Sequence, residues 1–190
     1  GALGVQVLDL EGMSGHRGSI LGGQAADQPS QKAFETALAC RLATFEVTRP
    51  IVIEAESSKI GERIVPPAIW TAMKCAPRIE ITAPLDARAA YLVEGYADII
   101  ARRADLTRGL NVLRQHCGSK VVDHWLTLLE TGAHVALARA LIEDHYDPSY
   151  ARSRARGTHP TLATLTARDL SPPVRDALAH QIADIVRAEG

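Results

Sequence analysis

The reading turns on Val5-Gln-Val-Leu-Asp-Leu-Glu-Gly-Met-Ser-Gly-His-Arg-Gly-Ser19, followed after a glycine-rich gap by Gln28-Pro-Ser-Gln-Lys-Ala-Phe-Glu35. Val5, Val7 and Leu8 form a short apolar run that closes on Asp9 and Glu11. A run this short, bounded by glycine, reads as a buried parallel strand over 5–9. In open α/β sheets, ligands sit beyond the carboxyl ends of such strands, which is where Asp9 and Glu11 fall. The loop that follows carries Gly12, Gly15, Gly18, Gly22 and Gly23. This lets the backbone reach positive φ and approach a ligand closely. Within the loop, His16 is a proton carrier near neutral pH, Arg17 a bidentate cation and Ser19 a hydroxyl. Gln28, Pro29, Ser30 and Gln31 open a helix read over 29–45, with Lys32 in its first turn, where the helix dipole favours anions. Phe34, Leu38, Leu42 and Phe45 make one apolar face of that helix.

A second unit of the same plan follows. Ile51-Val52-Ile53 reads as another buried strand, ending on Glu54 and Glu56, with Ser57 opening a loop over 57–65. On an extended strand, Glu54 and Glu56 would share a face. Two such ends side by side would bring four carboxylates to one crevice. Pro66 and Pro67 start a short helix through Met73, and Arg78–Thr82 alternates as a third strand. From Leu85 the spacing is helical as far as Tyr146. Arg152, Arg154 and Arg156 then alternate in a polar segment, so that on an extended chain all three would share a face suited to phosphates. Thr161–Leu165 is a candidate last strand, and Asp169–Pro172 opens a final helix. The expectation is an α/β fold in three parts: a core over 1–84, a helical insertion over 85–150, and an Arg-rich segment, strand and helix over 151–190 returning to the core.

Composition narrows the function. The chain has 190 residues, 46% hydrophobic, ample for a core, and a net charge of −1. Near-neutral charge argues against a general polyelectrolyte binder, so any RNA contact must come from local patches. No apolar run approaches the length of a membrane span, and no signal peptide is visible. Cys40, Cys75 and Cys117 are scattered, without a C-x-x-C pair, as in a reducing cytoplasm.

Four ordered motifs carry a family resemblance: D-L-E-G-x-x-x-H-R-G-S at Asp9–Ser19, Q-P-S-Q-K-x-F-E at Gln28–Glu35, E-x-E-S-x-x-I-G at Glu54–Gly61 and H-Y-D-P-x-Y at His145–Tyr150. Together they resemble the C-terminal P-loop domain of bacterial tRNA 2-selenouridine synthases. The resemblance implies a P-loop NTPase-like parallel sheet with a helical insertion. It also implies a transferase that replaces the sulfur of wobble 2-thiouridine by selenium through a geranylated intermediate. The implied co-substrates are selenophosphate and geranyl diphosphate, with tRNA as partner in the cytoplasm.

On this reading Asp9, His16 and Glu54 are catalytic, and Asp9 is the candidate Mg²⁺ ligand. Arg17, Ser19, Gln28, Gln31, Lys32, Glu56 and Ser57 bind substrate or phosphate, and Arg152, Arg154 and Arg156 hold tRNA. The family's Walker A, G-x-x-x-x-G-K-[ST], and its rhodanese cysteine loop do not occur in the sequence. The chain opens on Gly1 and reads as a piece of such an enzyme, inactive alone. The competing reading is a non-catalytic α/β module that binds RNA or a partner. Neither reading fixes an oligomeric state.

Overall fold

The computed structural model describes residues 3–19, 21–22, 27–155 and 160–189. In order, its elements are β1 (Gln6–Leu8), α1 (Leu10–Ser14), α2 (Gln31–Leu42), β2 (Ile51–Ile53), β3 (Lys59–Ile60), β4 (Arg63–Ile64), α3 (Pro67–Cys75) and β5 (Arg78–Thr82). Then come α4 (Leu85–Gly95), α5 (Ala97–Ala101), α6 (Arg103–Val112), α7 (Arg114–Cys117), α8 (Ser119–Glu130), α9 (His134–Leu141), a π-helical turn (Ile142–Tyr146), α10 (Asp147–Ala155), β6 (Thr161–Thr166) and α11 (Pro172–Ala188). The fold is α/β, with parallel strands and many helices, as expected.

β1 and β2 pair in parallel, Gln6 opposite Ile51 and Leu8 opposite Ile53. β3 and β4 form a small antiparallel hairpin, and β5 pairs with β6. Arg78 N–H bonds Pro160 O, and Ala167 N–H bonds Thr82 O, so β5 and β6 also run parallel. No hydrogen bond among the described residues joins these three two-stranded sheets into one.

The chain divides into two compact units, Gly1–Glu80 with His159–Ala163 and Asp176–Gly190, and Ile81–Thr158 with Thr164–Arg175. In the first, Leu8, Leu10, Phe34, Leu38, Ile60 and Val65 are buried together, backed by Met13, Leu42, Phe45 and Trp70. The periodic face read from α2 supplies its centre. Fully burying one such side chain stabilises by about 1.5–3 kcal/mol. A smaller cluster sets Val5, just before β1, with Val52 of β2 and Ile79 of β5 against Ile182, Ala183 and Val186 of α11. In the second unit, Ala89 of α4 packs on Ala138 and Ile142, and Trp125 of α8 is fully buried, its indole N–H donating to Asp144.

Three local expectations need correction. The glycine-rich loop does not begin at Gly12. Asp9 caps a one-turn helix, accepting from Gly12 N–H at 2.7 Å, and Gly15 ends it in the left-handed region at φ 64°. Residues 57–65 are not a plain loop but hold the β3–β4 hairpin, turned at Gly61 with φ 58°. The segment after Tyr146 is helical through Ala155 rather than extended. Residues two apart on a helix lie about 200° apart, so the alternation does not gather residues on one face as it would on an extended chain. Arg152 is exposed and its guanidinium reaches Ser149; the side chain of Arg154 and all of Arg156 lie outside the described residues.

Candidate functional site

The carboxyl ends of β1 and β2 do converge. Glu54 leaves β2 and reaches across to the start of α1, accepting from Leu10 N–H at 3.0 Å and Glu11 N–H at 3.4 Å. Its carboxyl thus sits at a helix start, alongside that of the capping Asp9, with which it also shares a hydrogen bond. The chain turns immediately after Glu54, with Glu56 N–H bonded to Glu54 O at 2.8 Å. Glu54 and Glu56 therefore do not lie on one strand face. They reach the same place through a turn, and Glu56 hydrogen-bonds Glu11. The Glu56 carboxylate lies against Gly18, where a β-carbon would stand 2.5 Å from both of its oxygens. Gly18 has φ 69°, so both the conformation and the space require glycine.

The titration of the cluster follows from this geometry. Burial, then the hydrogen bond and charge of Glu56, with smaller contributions from Glu54 and Asp9, pushes Glu11 up to about 7. Burial raises Glu54 as well, against the pull of its backbone hydrogen bonds. Burial lowers His16 despite the nearby Glu56 and Glu62. Near neutral pH, Glu11 thus exists both with and without a proton, which when present is shared with Glu56, close to an imidazole biased towards neutrality. Such a group can give or take a proton at a site where both forms are populated.

Of the predicted site residues, the structure brings together Asp9, Glu54 and Glu56, with His16 beside Glu56. Arg17 and Ser19 sit half-buried in the next turn, where Arg17 N–H bonds Gly22 O and Ser19 N–H bonds Arg17 O. Lys32 is exposed in the first turn of α2, which Ser30 caps by accepting from Ala33 N–H.

Gln28 and Gln31 are held by backbone. Gln28 donates to Ser14 O and Ile60 O and accepts from Glu62 N–H. Gln31 donates to Ile64 O and accepts from Ile64 N–H. Gln28 ties the β3–β4 hairpin to the end of α1, and Gln31 ties it to the first turn of α2. A β-carbon at Gly61 would collide with the Gln28 amide and the His16 ring. Ser57 closes the entry to the hairpin through Lys59 N–H and O.

The sequence places Glu11 with Asp9 at the strand end where ligands bind, without naming it catalytic or substrate-binding, and its titration is the one moved furthest into the neutral range. Its signal was its position two residues past a capping acid, legible only once α1 is known to be a helix. In the second unit, His145 of the π-helical turn faces Cys117, Nδ1 to Sγ 3.5 Å. Burial raises that thiol and lowers that imidazole, so the pair is neutral. Among the described residues, no group of three or more His, Cys, Asp or Glu side chains is arranged to hold a metal ion.

A family model described as the tRNA 2-selenouridine synthase AAA domain matches residues 3–181. The chain belongs to this family. It is 32% identical over 168 residues to the tRNA 2-selenouridine synthase of Chromohalobacter salexigens, covering 75% of this chain and 46% of the relative. It is 29% identical over 173 residues to that of Shewanella halifaxensis, covering 76% and 47%. Against that of Hahella chejuensis, 29% identity covers 91% of this chain and 52% of the relative. The chain thus spans about half the length of the curated relatives it matches. No solved structure matches. The family match covers the acid cluster, both glutamine clasps and most of the helical unit. Among the described residues, no helix is long and apolar enough to cross a membrane.

Proposed function

We propose that this chain is the P-loop-domain part of a tRNA 2-selenouridine synthase. That enzyme would be a cytoplasmic transferase converting wobble 2-thiouridine of tRNA to 2-selenouridine through a geranylated intermediate, with geranyl diphosphate and selenophosphate as co-substrates. The observation that supports this most is the family match over residues 3–181, which includes the carboxylates at the β1 and β2 ends. Four clustered acids repel a phosphorylated substrate, so the cations must come from beside them. Arg17, in the turn after His16, and Lys32, at the start of α2, are the residues assigned to the phosphates, with Ser19 as a hydroxyl donor. Glu11 and Glu56, with His16, are assigned to proton transfer at the uridine ring or the leaving group.

The isolated chain is expected to bind a co-substrate but not to complete the reaction. Calorimetric titration with geranyl diphosphate and with selenophosphate tests this. Binding of at least one anion is expected, and Arg17→Ala should weaken it about tenfold or more, the loss of a charge-assisted pair. If neither anion binds while tRNA does, with steep salt dependence, the chain is an RNA-binding module and this reading is wrong. Geranylation or selenation of thiolated tRNA by the chain on its own would overturn the expectation that it is inactive alone.

A further inference from the structure

Both ends of the Gln28 amide are occupied by backbone. Its nitrogen donates to Ser14 O at 2.9 Å and to Ile60 O at 3.1 Å, and its oxygen accepts from Glu62 N–H at 2.7 Å. An amide nitrogen carries two protons, so no donor is left over for a phosphate. The three partners lie on the two segments that enclose His16. Ser14 ends α1, and its fully buried hydroxyl donates to Glu11 O at 3.0 Å. The same oxygen accepts from His16 N–H at 3.2 Å. Ile60 and Glu62 flank the hairpin turn at Gly61. A β-carbon at Gly61 would stand 2.6 Å from Cδ2 of the His16 ring, and closer still to Gln28 Oε1. On the other side, a β-carbon at Gly15 would touch Pro29 and the backbone of Gln28.

The imidazole is oriented by this packing. His16 Nδ1 is buried and meets no hydrogen-bond partner among the described residues. The charges that face the ring are Glu56, which is bonded to Glu11, and Glu62, which Lys59 pairs at 3.3 Å. Burial outweighs both acids and holds the imidazole below its usual range. The hairpin turn touches the ring and so contributes to that burial.

We propose that Gln28 is a positioning residue for His16. By fastening the end of α1 to the hairpin turn, it fixes the imidazole against Gly61 and near Glu56, without touching substrate itself. Gln31 fastens the other strand of the hairpin, through Ile64 N–H and O, and has no part in this. The inference rests on the assignment of His16 to proton transfer made above, and it replaces the phosphate-binding role that the sequence suggests for Gln28.

The test is an NMR titration of the histidine ring protons of this chain, with the His16 signal assigned by its loss in His16→Asn. Gln28→Ala is expected to raise the His16 midpoint by about half a pH unit, because the turn leaves the ring, water enters, and Glu56 and Glu62 then favour the cation. Gln28→Glu should raise it further through the added charge. Gln31→Ala loosens the same hairpin from its other strand and should leave the midpoint in place. An unmoved midpoint in Gln28→Ala overturns the proposal. So does an equal shift in Gln31→Ala, which would make the effect one of hairpin stability alone. If Gln28→Ala does not fold, Gln28→Met keeps the volume of the side chain without its hydrogen bonds and is judged by the same outcomes. Inorganic diphosphate, titrated calorimetrically into the wild-type chain and Gln28→Ala, should bind both equally. A loss of about tenfold in Gln28→Ala would return Gln28 to the phosphate site and also overturn the proposal. Failure of diphosphate to bind the wild-type chain would count against the proposed function, while the shift of the His16 midpoint would still decide the role of Gln28.

Discussion

Both compact units carry exposed ion pairs, such as Arg49 with Glu46 and Lys59 with Glu62 in the first, but only the first also gathers acids without a cation among them. In the helical unit, acids and arginines come as opposed pairs: Arg88 with Asp147, Arg102 with Asp98 and Asp105, Arg114 with Asp123, and Arg139 with Asp86. The two pairs of Arg102 sit at helical spacing, and the other three join residues further apart in the chain. In the other unit, Asp9, Glu11, Glu54 and Glu56 face one another across the ends of β1 and β2. Like charges brought together at a half-buried place cost stability. In the paired charges each acid has its own cation, whereas in the acid cluster burial and the neighbouring acids push Glu11 up to about 7.

The comparison can be broken most forcefully at the core of the helical unit. Trp125→Ala should destabilise by about 3–5 kcal/mol, through the cavity it leaves and the unpaired Asp144. Exchange measured by mass spectrometry should place the loss in Ile81–Thr158. Equal loss in β1 and β2 would show that the two units do not differ as described.

A second prediction concerns pH. The carboxyl of Glu11 is raised when folded, so the native state binds an extra proton between the ordinary value near 4.5 and about 7. Its contribution to stability is therefore most favourable below that window, falls as pH rises through it and is lowest above 7. His16, held low by burial, works the other way and costs stability as pH falls below 6.5. Glu11→Gln should stabilise the protein above pH 7, leave it nearly unchanged near pH 4, and flatten the slope between. Glu54 would contribute what slope remains. Urea melts at several pH values check this, and an unchanged slope would mean that the cluster does not share protons.

The smallest effect belongs to the paired charges. Arg114→Ala should change stability by no more than about 1 kcal/mol at any pH between 5 and 9, the ordinary worth of an exposed pair. A larger or pH-dependent loss would erase the contrast between the units.

Much of this could be read before any coordinates. β5 was legible because Ile79 and Ile81 alternate with polar residues, and α2 because Phe34 and Leu38 repeat with the helical period. The meeting of Asp9 with Glu54 and Glu56 followed from two apolar runs that each close on acids. What was hidden was local. α1 is enclosed by glycines that argue for a loop, and only the capping geometry of Asp9 and Gly15 makes it a helix. Each strand of the β3–β4 hairpin is two residues long, too short for an alternation to show. The arginines after Tyr146 alternate in sequence, but the helix carried over from the π-helical turn overrides that period. The roles of Gln28 and Gln31 depend on backbone far along the chain, which no local pattern reports.

The amide of Gln28 sets how the site would age. Its nitrogen donates to two carbonyls, Ser14 O and Ile60 O, and its oxygen receives the amide of Glu62. Hydrolysis of that one side chain to a carboxylate would turn both donations into repulsion and set another negative group beside His16. A single uncatalysed chemical event, with no change in the gene, would thus loosen the hairpin and the turn at Ser14 together.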